Sequence, residues 1–381
     1  MATSSLPSTM RAVVQTGPGQ ATLETVPLPK VEPGIALVKL EVSLVHANIA
    51  HIFKGDNPMF TFPWPTIPGS FGIGRIAAVG PDATTLKEGQ LVLCSAFARA
   101  RDNPAVSVIT GVTAGFSPQA EHLYKTVARS GFWAEYTPAL LENVHVLDET
   151  RLFGQLGYEP ADLLVLAADA IAYGGLRRIN IQPGERIIVT PATGHYSSAT
   201  VDVAVALGAR VVAASRNAES LAKLKAQHAH ASGSDGSTAA VETVQLTGDI
   251  EADAKALGAF GPVDAVIDIS PPAATGAPNL ATAISVLREN GRICLLGARG
   301  DKELPVPYIK AMLNNWTISG SYMYARADFA RIVRLAETGL LRLGKRGGHE
   351  IVGAYGLDDF KAAIDRAVET SAPGTHVYLK N

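Results

Sequence analysis

The sequence predicts an α/β chain of two domains, a β-rich, barrel-like amino-terminal domain followed by a doubly wound parallel sheet. Three observations predict it. From Met10 to about Val146 the chain consists of short apolar or alternating runs broken by frequent Gly and Pro. Residues 184–217 then read strand, glycine turn, helix, strand. Beyond them helical and strand-like segments keep alternating, and 381 residues suffice for two cores.

Taken in order, the opening MATSSLPST has no basic stretch leading into an apolar core, so no secretory signal is expected there. Residues 11–14, 36–44, 72–79 and 90–94 read as strands, separated by turns such as Val79-Gly80-Pro81-Asp82 and Lys87-Glu88-Gly89. Residues 96–132 are polar and poorly periodic, a length of connection that suits a lid or a partner-contact lobe. After Glu159-Pro160 a helical run covers 161–178. The turn signal Pro183-Gly184 bounds a buried strand, 186–190, and Pro191-Ala192-Thr193-Gly194 follows. Next comes a helix with apolar Val201, Val203, Ala204, Val205 and Leu207, closed by Gly208, and a second buried strand, 210–214. Helices are expected at 218–227 and 281–289, strands at 265–269 and 292–296, and a surface loop at Ser232 to Ser237. Two further helices, 328–338 and 357–369, precede a last strand, 375–379, expected to return to the first domain. The expected division is 1–155, 156–320 and a returning segment 321–381.

Composition narrows the function. A formal charge of −2 supplies no basic field for nucleic acid or an anionic membrane. No apolar run reaches about 18 residues, so no membrane-spanning helix is expected. Cys94 and Cys294, the two cysteines, both lie in apolar strand-like runs and read as buried thiols of a cytoplasmic protein.

The βαβ unit at 184–217 is the first half of a dinucleotide-binding fold, with the start of its helix set against a pyrophosphate. Thr193, Gly194, His195, Tyr196 and Ser197 are therefore candidate cofactor residues. The glycine pattern is incomplete, since Pro191 and Ser197 stand where further glycines are usual. At the end of the second strand, Ser215-Arg216-Asn217 offers a hydroxyl, a guanidinium and an amide where NAD-binding chains place a carboxylate for the ribose 2′-OH. Arginine makes forked, charge-assisted bonds to phosphate, so this end suits a 2′-phosphate and points to NADPH.

Five further segments carry a family resemblance: Leu86-Lys87-Glu88-Gly89, Gly131-Phe132-Trp133-Ala134-Glu135-Tyr136, Ala172-Tyr173-Gly174, 208–217, and Asn290-Gly291-Arg292-Ile293-Cys294-Leu295-Leu296-Gly297. With these, the chain resembles the medium-chain dehydrogenase/reductase family over nearly all of 10–381, and Pro191-Ala192-Thr193-Gly194 is similar to a variant turn of fungal members. The resemblance implies a GroES-like catalytic domain, a Rossmann domain, a small-molecule substrate and a homodimer. It adds Ile269, Ser270, Gly297 and Ala298 to the cofactor side, and it places Tyr173 on a helix that starts near the nicotinamide.

The same comparison shows departures. Zinc-using members carry a cysteine where His46 stands, His-Glu where Ser70-Phe71 follow Pro68-Gly69, and a third ligand at Ala167. The segment near 96–132, which holds four cysteines in such members, has none. Catalytic zinc needs three protein ligands and an open position, so no metal is expected. The resemblance then implies a zinc-free NADPH-dependent reductase of an α,β-unsaturated carbonyl, a quinone or a small carbonyl compound, with His46, Asn48 and His51 as donors or proton relay. Oxidation of an alcohol and a catalytically silent NADPH-binding protein are the alternatives. Tyr322 and Tyr324 are expected in a strand-like run, as cleft, core or dimer aromatics, and His228, His230 and His349 as solvated side chains.

Overall fold

A computed structural model describes residues 6–56, 60–229 and 240–381; the expected surface loop Ser232 to Ser237 and His230 lie outside the described residues. The chain divides into two compact units. One runs to Leu164 and takes back Ile351–Ser371 and His376–Asn381, and the other spans Val165–Glu350 with Ala372–Thr375.

The first unit contains β1 (Thr9–Gly17), β2 (Gln20–Pro27), β3 (Ile35–Val45), α1 (Ile49–Lys54), β4 (Phe71–Val79), β5 (Leu91–Ser95), β6 (Phe97–Arg99), β7 (Ser107–Ile109), α2 (Pro118–Leu123), β8 (Tyr136–Leu140) and β9 (Val144–Val146). β1 and β2 form an antiparallel hairpin that the sequence reading saw only in part. The long β3 is the spine. It pairs antiparallel with both β4 and β8, and its apolar residues are buried on both faces. The 96–132 lobe is built from the β6–β7 hairpin, α2 and a turn in which buried Tyr124 bonds Thr66 at 2.7 Å.

The second unit runs α3 (Leu166–Arg178), β10 (Arg186–Thr190), α4 (His195–Ala206), β11 (Arg210–Ser215), α5 (Ala218–Gln227), β12 (Val241–Gln245), α6 (Ile250–Gly258), β13 (Val263–Asp268), α7 (Asn279–Ser285), β14 (Leu287–Leu295), α8 (Tyr308–Leu313), β15 (Thr317–Gly320) and α9 (Arg326–Thr338). Its sheet is parallel throughout, in the order β12-β11-β10-β13-β14-β15. Ile188, Val212, Val266 and Ile293, one from each inner strand, share a buried cluster with Leu257, Leu280 and Ile284 from the covering helices. Local chemistry sets the helix ends. Asn217 accepts the Ser220 N–H at 2.9 Å to open α5, and Asp249 accepts from Glu251 and Ala252 to open α6. Gly208, with φ +82°, closes α4 by donating to the Val205 carbonyl.

Then β16 (Glu350–Gly356), α10 (Phe360–Glu369) and β17 (Thr375–Lys380) follow. Among the described residues they complete a seven-stranded sheet, order β16-β17-β3-β4-β5-β9 with β8 on β3, so the last strand does return to the first unit. β17 pairs Val377 with Val45 and Leu379 with Ser43, at the end of β3.

Three expectations differ from the structure. The helix expected over 281–289 is α7, which ends at Ser285; Leu287 already lies in β14, opposite Val263. The strand-like run at Tyr322 and Tyr324 ends at Gly320. Met323 has φ +57°, Tyr324 is buried with its ring 5.2 Å from that of Phe329, and Tyr322 is half exposed. The returning segment, expected from 321, begins at Ile351, because α9 packs on α3 in the second unit. There the Arg177 guanidinium meets buried Asp328 at 2.6 Å, and Asp328 also accepts the Ala325 N–H. Among the described residues no helix is long and apolar enough to cross a membrane.

Candidate functional site

In the second unit, the carboxyl ends of β10, β11, β13 and β14 bring together the residues the sequence nominated for a dinucleotide. The turn after β10 is tied to β11 by the Ala192 N–H, which donates to the Ala214 carbonyl at 2.9 Å. Across that contact the hydroxyls of Thr193 and Ser215 are 2.7 Å apart, a link between two motifs read separately from the sequence. Gly194 is the N-cap of α4 and supplies no side-chain cap. His195 and Tyr196 follow with rings edge to face at 5.0 Å, and Ser197 is buried in the first turn.

Gly194 shows what the turn accommodates. Its φ of −85° is open to any residue. A Cβ built there meets only the Ser197 hydroxyl, at 3.3 Å. The fold itself therefore places little demand for glycine at this point, and the missing side chain leaves a cradle for the backbone of a bound group. Gly297 contrasts with it. A Cβ there would stand 2.5 Å from the Ser270 carbonyl oxygen and 2.6 Å from its nitrogen, so this glycine permits the close approach of two loops.

Those loops follow β13 and β14. Ile269 donates from its N–H to Thr190, Gly297 to Asp268 and Ala298 to Ser270, at 2.9–3.0 Å. The Ser270 hydroxyl donates to the buried Asp268 carboxyl at 2.6 Å. Burial pushes the Asp268 carboxyl above its ordinary range, against the opposing pull of Ser270 and of the Arg299 charge. Sequence reading missed Asp268 and Arg299; an acid closing an apolar strand was the available signal for the first.

Arg216 is exposed one residue beyond β11, and among the described residues no carboxylate pairs with it. Its carbonyl accepts from Gln245 at 3.2 Å, which fixes the backbone from the β12 side. Asn217, nominated beside it, is committed to capping α5. The hydroxyl pair, the helix start and the exposed guanidinium thus stand on the edge where a doubly wound sheet takes a dinucleotide.

The other nominated residues belong to other elements. In the first unit, His46 follows β3 and is buried; its carbonyl accepts the Ile49 N–H at 2.9 Å. The end of β3 is held by its pairing with β17, by the Ser43 hydroxyl donating to the Phe132 carbonyl at 2.6 Å, and by the Trp133 indole donating to Leu44 at 3.2 Å. Asn48 is exposed at the start of α1, and His51, expected in the same loop, is exposed on α1 itself. Tyr173 is buried on α3 and faces the Arg331 guanidinium of α9, whose pKa it raises. His228 and His349, expected in solvent, are buried: each meets Asp202, at 2.9 and 3.2 Å. The thiols of Cys94 and Cys294 are buried, and burial pushes both up to about 12. Among the described residues no group of three or more His, Cys, Asp or Glu is placed to hold a metal ion.

Comparison with known proteins bears on this arrangement. Residues 32–149 match the model described as alcohol dehydrogenase GroES-like domain, and residues 197–338 match the one described as zinc-binding dehydrogenase. An alcohol dehydrogenase of Rhizobium meliloti is 29% identical over 318 residues, 83% of this chain and 85% of that protein. Among solved structures, a short chain alcohol dehydrogenase from E. coli CFT073 complexed with NADH superposes with TM-score 0.76 at 16% identity, covering 98% of this chain and 100% of the other. A zinc-binding dehydrogenase from Sinorhizobium meliloti 1021 bound to NADP gives 0.72 at 19%, with the same coverage. At such identities the likeness is one of fold.

The cradle at Gly194 yields a test. Gly194→Ala should leave the melting temperature within about 2 °C, since the added methyl meets one hydroxyl. Its dissociation constant for a nicotinamide dinucleotide, read by fluorescence titration, should rise about tenfold or more. Unchanged affinity would mean that the turn does not carry the phosphates.

Proposed function

We propose that the chain is a member of the medium-chain dehydrogenase/reductase superfamily, an alcohol dehydrogenase-like oxidoreductase, and within it a zinc-independent, NADPH-dependent reductase of an α,β-unsaturated carbonyl, a quinone or a small carbonyl compound. One observation carries the cofactor choice. The end of β11 presents Ser215 bonded to Thr193 and an exposed Arg216, with no carboxylate in Ser215-Arg216-Asn217. A 2′-phosphate accepts from both residue types, whereas a 2′-OH would be left without its usual acidic acceptor.

The bound nicotinamide would supply the hydride. The protein's own part is to hold the dinucleotide on the Thr193–Ser197 turn and to polarise the substrate oxygen. The donor set supports doing this without zinc, because His46 stands where the family's zinc-using members carry a cysteine and Ser70-Phe71 where they carry His-Glu. Hydrogen bonds from His46 and Asn48 are then the means of stabilising charge that develops on that oxygen. The strands and side chains that fix the end of β3 give His46 the rigid seat such a donor requires. Conversion of an alcohol is the second reading, favoured by the relatives' description as alcohol dehydrogenases. Two buried, unpaired thiols suit the reducing cytoplasm.

The partner we infer is a second copy of the chain. β15 is a sheet edge with Ile318 exposed, and the preceding α8 presents Tyr308, Ile309, Met312 and Leu313 to the surface. An apolar face beside an unpaired strand edge is covered when two copies of β15 pair antiparallel.

Each part has its own measurement. Arg216→Asp should weaken NADPH binding about ten- to hundredfold while sparing NADH, the scale of one lost charge-assisted pair; an unchanged ratio would remove the 2′-phosphate assignment. His46→Ala should slow single-turnover NADPH oxidation about a hundredfold at unchanged nucleotide affinity, and the undialysed enzyme should carry well under one zinc per chain. A rate within about threefold of wild type, or stoichiometric zinc, would overturn the donor assignment. Ile318→Lys should convert a sedimenting dimer to a monomer, and a monomeric wild type would refute the pairing.

A further inference from the structure

Inside the second unit, away from the carboxyl ends of the strands, lies a cluster of titratable groups that binding of a dinucleotide does not use. Asp202, on the middle of α4, is nearly buried and is shared by two imidazoles. His228, at the carboxyl end of α5, meets its Oδ1 at 2.9 Å, and His349, just before β16, meets its Oδ2 at 3.2 Å. Across the α3–α4 contact stands Asp169, 1% exposed, and among the described residues neither of its carboxyl oxygens has a hydrogen-bond partner. A carboxylate in that position would be uncompensated, a state that folding avoids by keeping the proton on the group.

The two acids are driven apart by their surroundings. Burial pushes Asp169 well above the ordinary carboxylate range, and the neighbouring Asp202 charge pushes it further. Burial alone would raise Asp202 too, but the bonds and charges of His228 and His349 override it and hold that carboxyl well below the usual range. Three arginines on the neighbouring helices act on other groups. Arg177 of α3 pairs with Asp328 of α9, Arg331 of α9 meets Tyr173, and Arg178 acts on the Cys294 thiol of β14. The charge that acts on Asp169 is that of Asp202, and those that act on Asp202 are His228 and His349.

The cluster also holds a stretch of chain. The Gly344–Gly347 turn and Gly348, with φ +74°, deliver His349, whose own N–H donates to the Gly344 carbonyl at 2.9 Å. The Gln227 amide donates to the Gly348 carbonyl at 2.8 Å, and the Glu350 N–H donates to Gly374 at 2.8 Å. His349 on Asp202 is therefore the side-chain anchor that fastens this turn to α4, and Gln227 fastens it to α5.

We propose that Asp169, Asp202, His228 and His349 form a pH-operated latch that fastens residues 344–350 to α4 and α5 and loosens when Asp169 loses its proton. The sign follows from the direction of the shift. A carboxyl whose folded pKa lies above its unfolded value stabilises the fold below the unfolded value, and that stability is lost as pH rises through the folded one. Ionised Asp169 sets a second negative charge beside Asp202, and the shared carboxylate relaxes away from its two imidazoles.

Hydrogen exchange of the full-length protein reads the latch without substrate or nucleotide. Backbone amides of 345–350, corrected for intrinsic rates, should lose at least about tenfold in protection between about pH 5.5 and about pH 9. Asp169→Asn, which keeps the group neutral, should retain the protection at the upper pH. Asp202→Asn, which removes the shared charge, should lower it at both. Wild-type protection that does not change with pH, or an Asp169→Asn protein that loses it as wild type does, overturns the proposal. If Asp169→Asn does not fold, equal protection of Asp202→Asn and wild type at the lower pH overturns it alone.

Discussion

The reversal of strand order at β10 is the constraint on which the nucleotide-binding half depends. From β10 the chain moves outward through β11 and β12, then returns to β13 on the opposite side and moves outward again through β14 and β15. In a doubly wound sheet this reversal is the point at which the connections leave to opposite sides and a ligand is taken at the carboxyl ends of the strands. Everything nominated for the dinucleotide is brought to that edge by this single topological fact. Thr193 can reach Ser215, and Gly297 can lie against Ser270, only because β10 neighbours β11 and β13 neighbours β14.

The incomplete glycine pattern becomes intelligible in that setting. Pro191 occupies a place where the turn is already held by the Ala192 bond to Ala214, so backbone freedom is not what the position supplies. Ser197 is buried within the first turn of α4 and packs where a third glycine would otherwise let helix and strand approach. At the one glycine retained, Gly194, an added Cβ would meet a single atom, the Ser197 hydroxyl, at 3.3 Å. Loss of the other two is consistent with a site built to approach a phosphate at one point and to bond it with hydroxyls beside that point.

Burial of polar groups in the second unit follows two rules. Where an acid has donors it is paired with them, as Asp328 is with Arg177 and the Ala325 N–H. Where it has none, burial pushes its pKa up, as at Asp169. Asp202 stands between the two cases, because its partners are the imidazoles of His228 and His349. Such a group ties the ionisation of the core to the attachment of a particular turn.

The sequence by itself determined the parallel βαβ order, the bounds of α5 at Ala218–Gln227, the strand β11 and the glycine that closes α4. These are local matters, decided by apolar period, capping residues and turn glycines within one element. Only the tertiary structure decided the rest. The short β12, β15 and β16 escaped notice because charged or exposed residues interrupt their pattern, and partner strands supply what propensity does not. Leu287 read as helical because its apolar spacing suits either element, and pairing with Val263 settled it as strand. Local pattern alone puts residues 321–350 in the returning segment, since nothing local shows that Asp328 will meet Arg177, 151 positions away. His228 and His349 read as solvated for the same reason. A histidine's surroundings are fixed by whatever long-range packing brings to it, and Asp202, on another helix, is invisible from either neighbourhood.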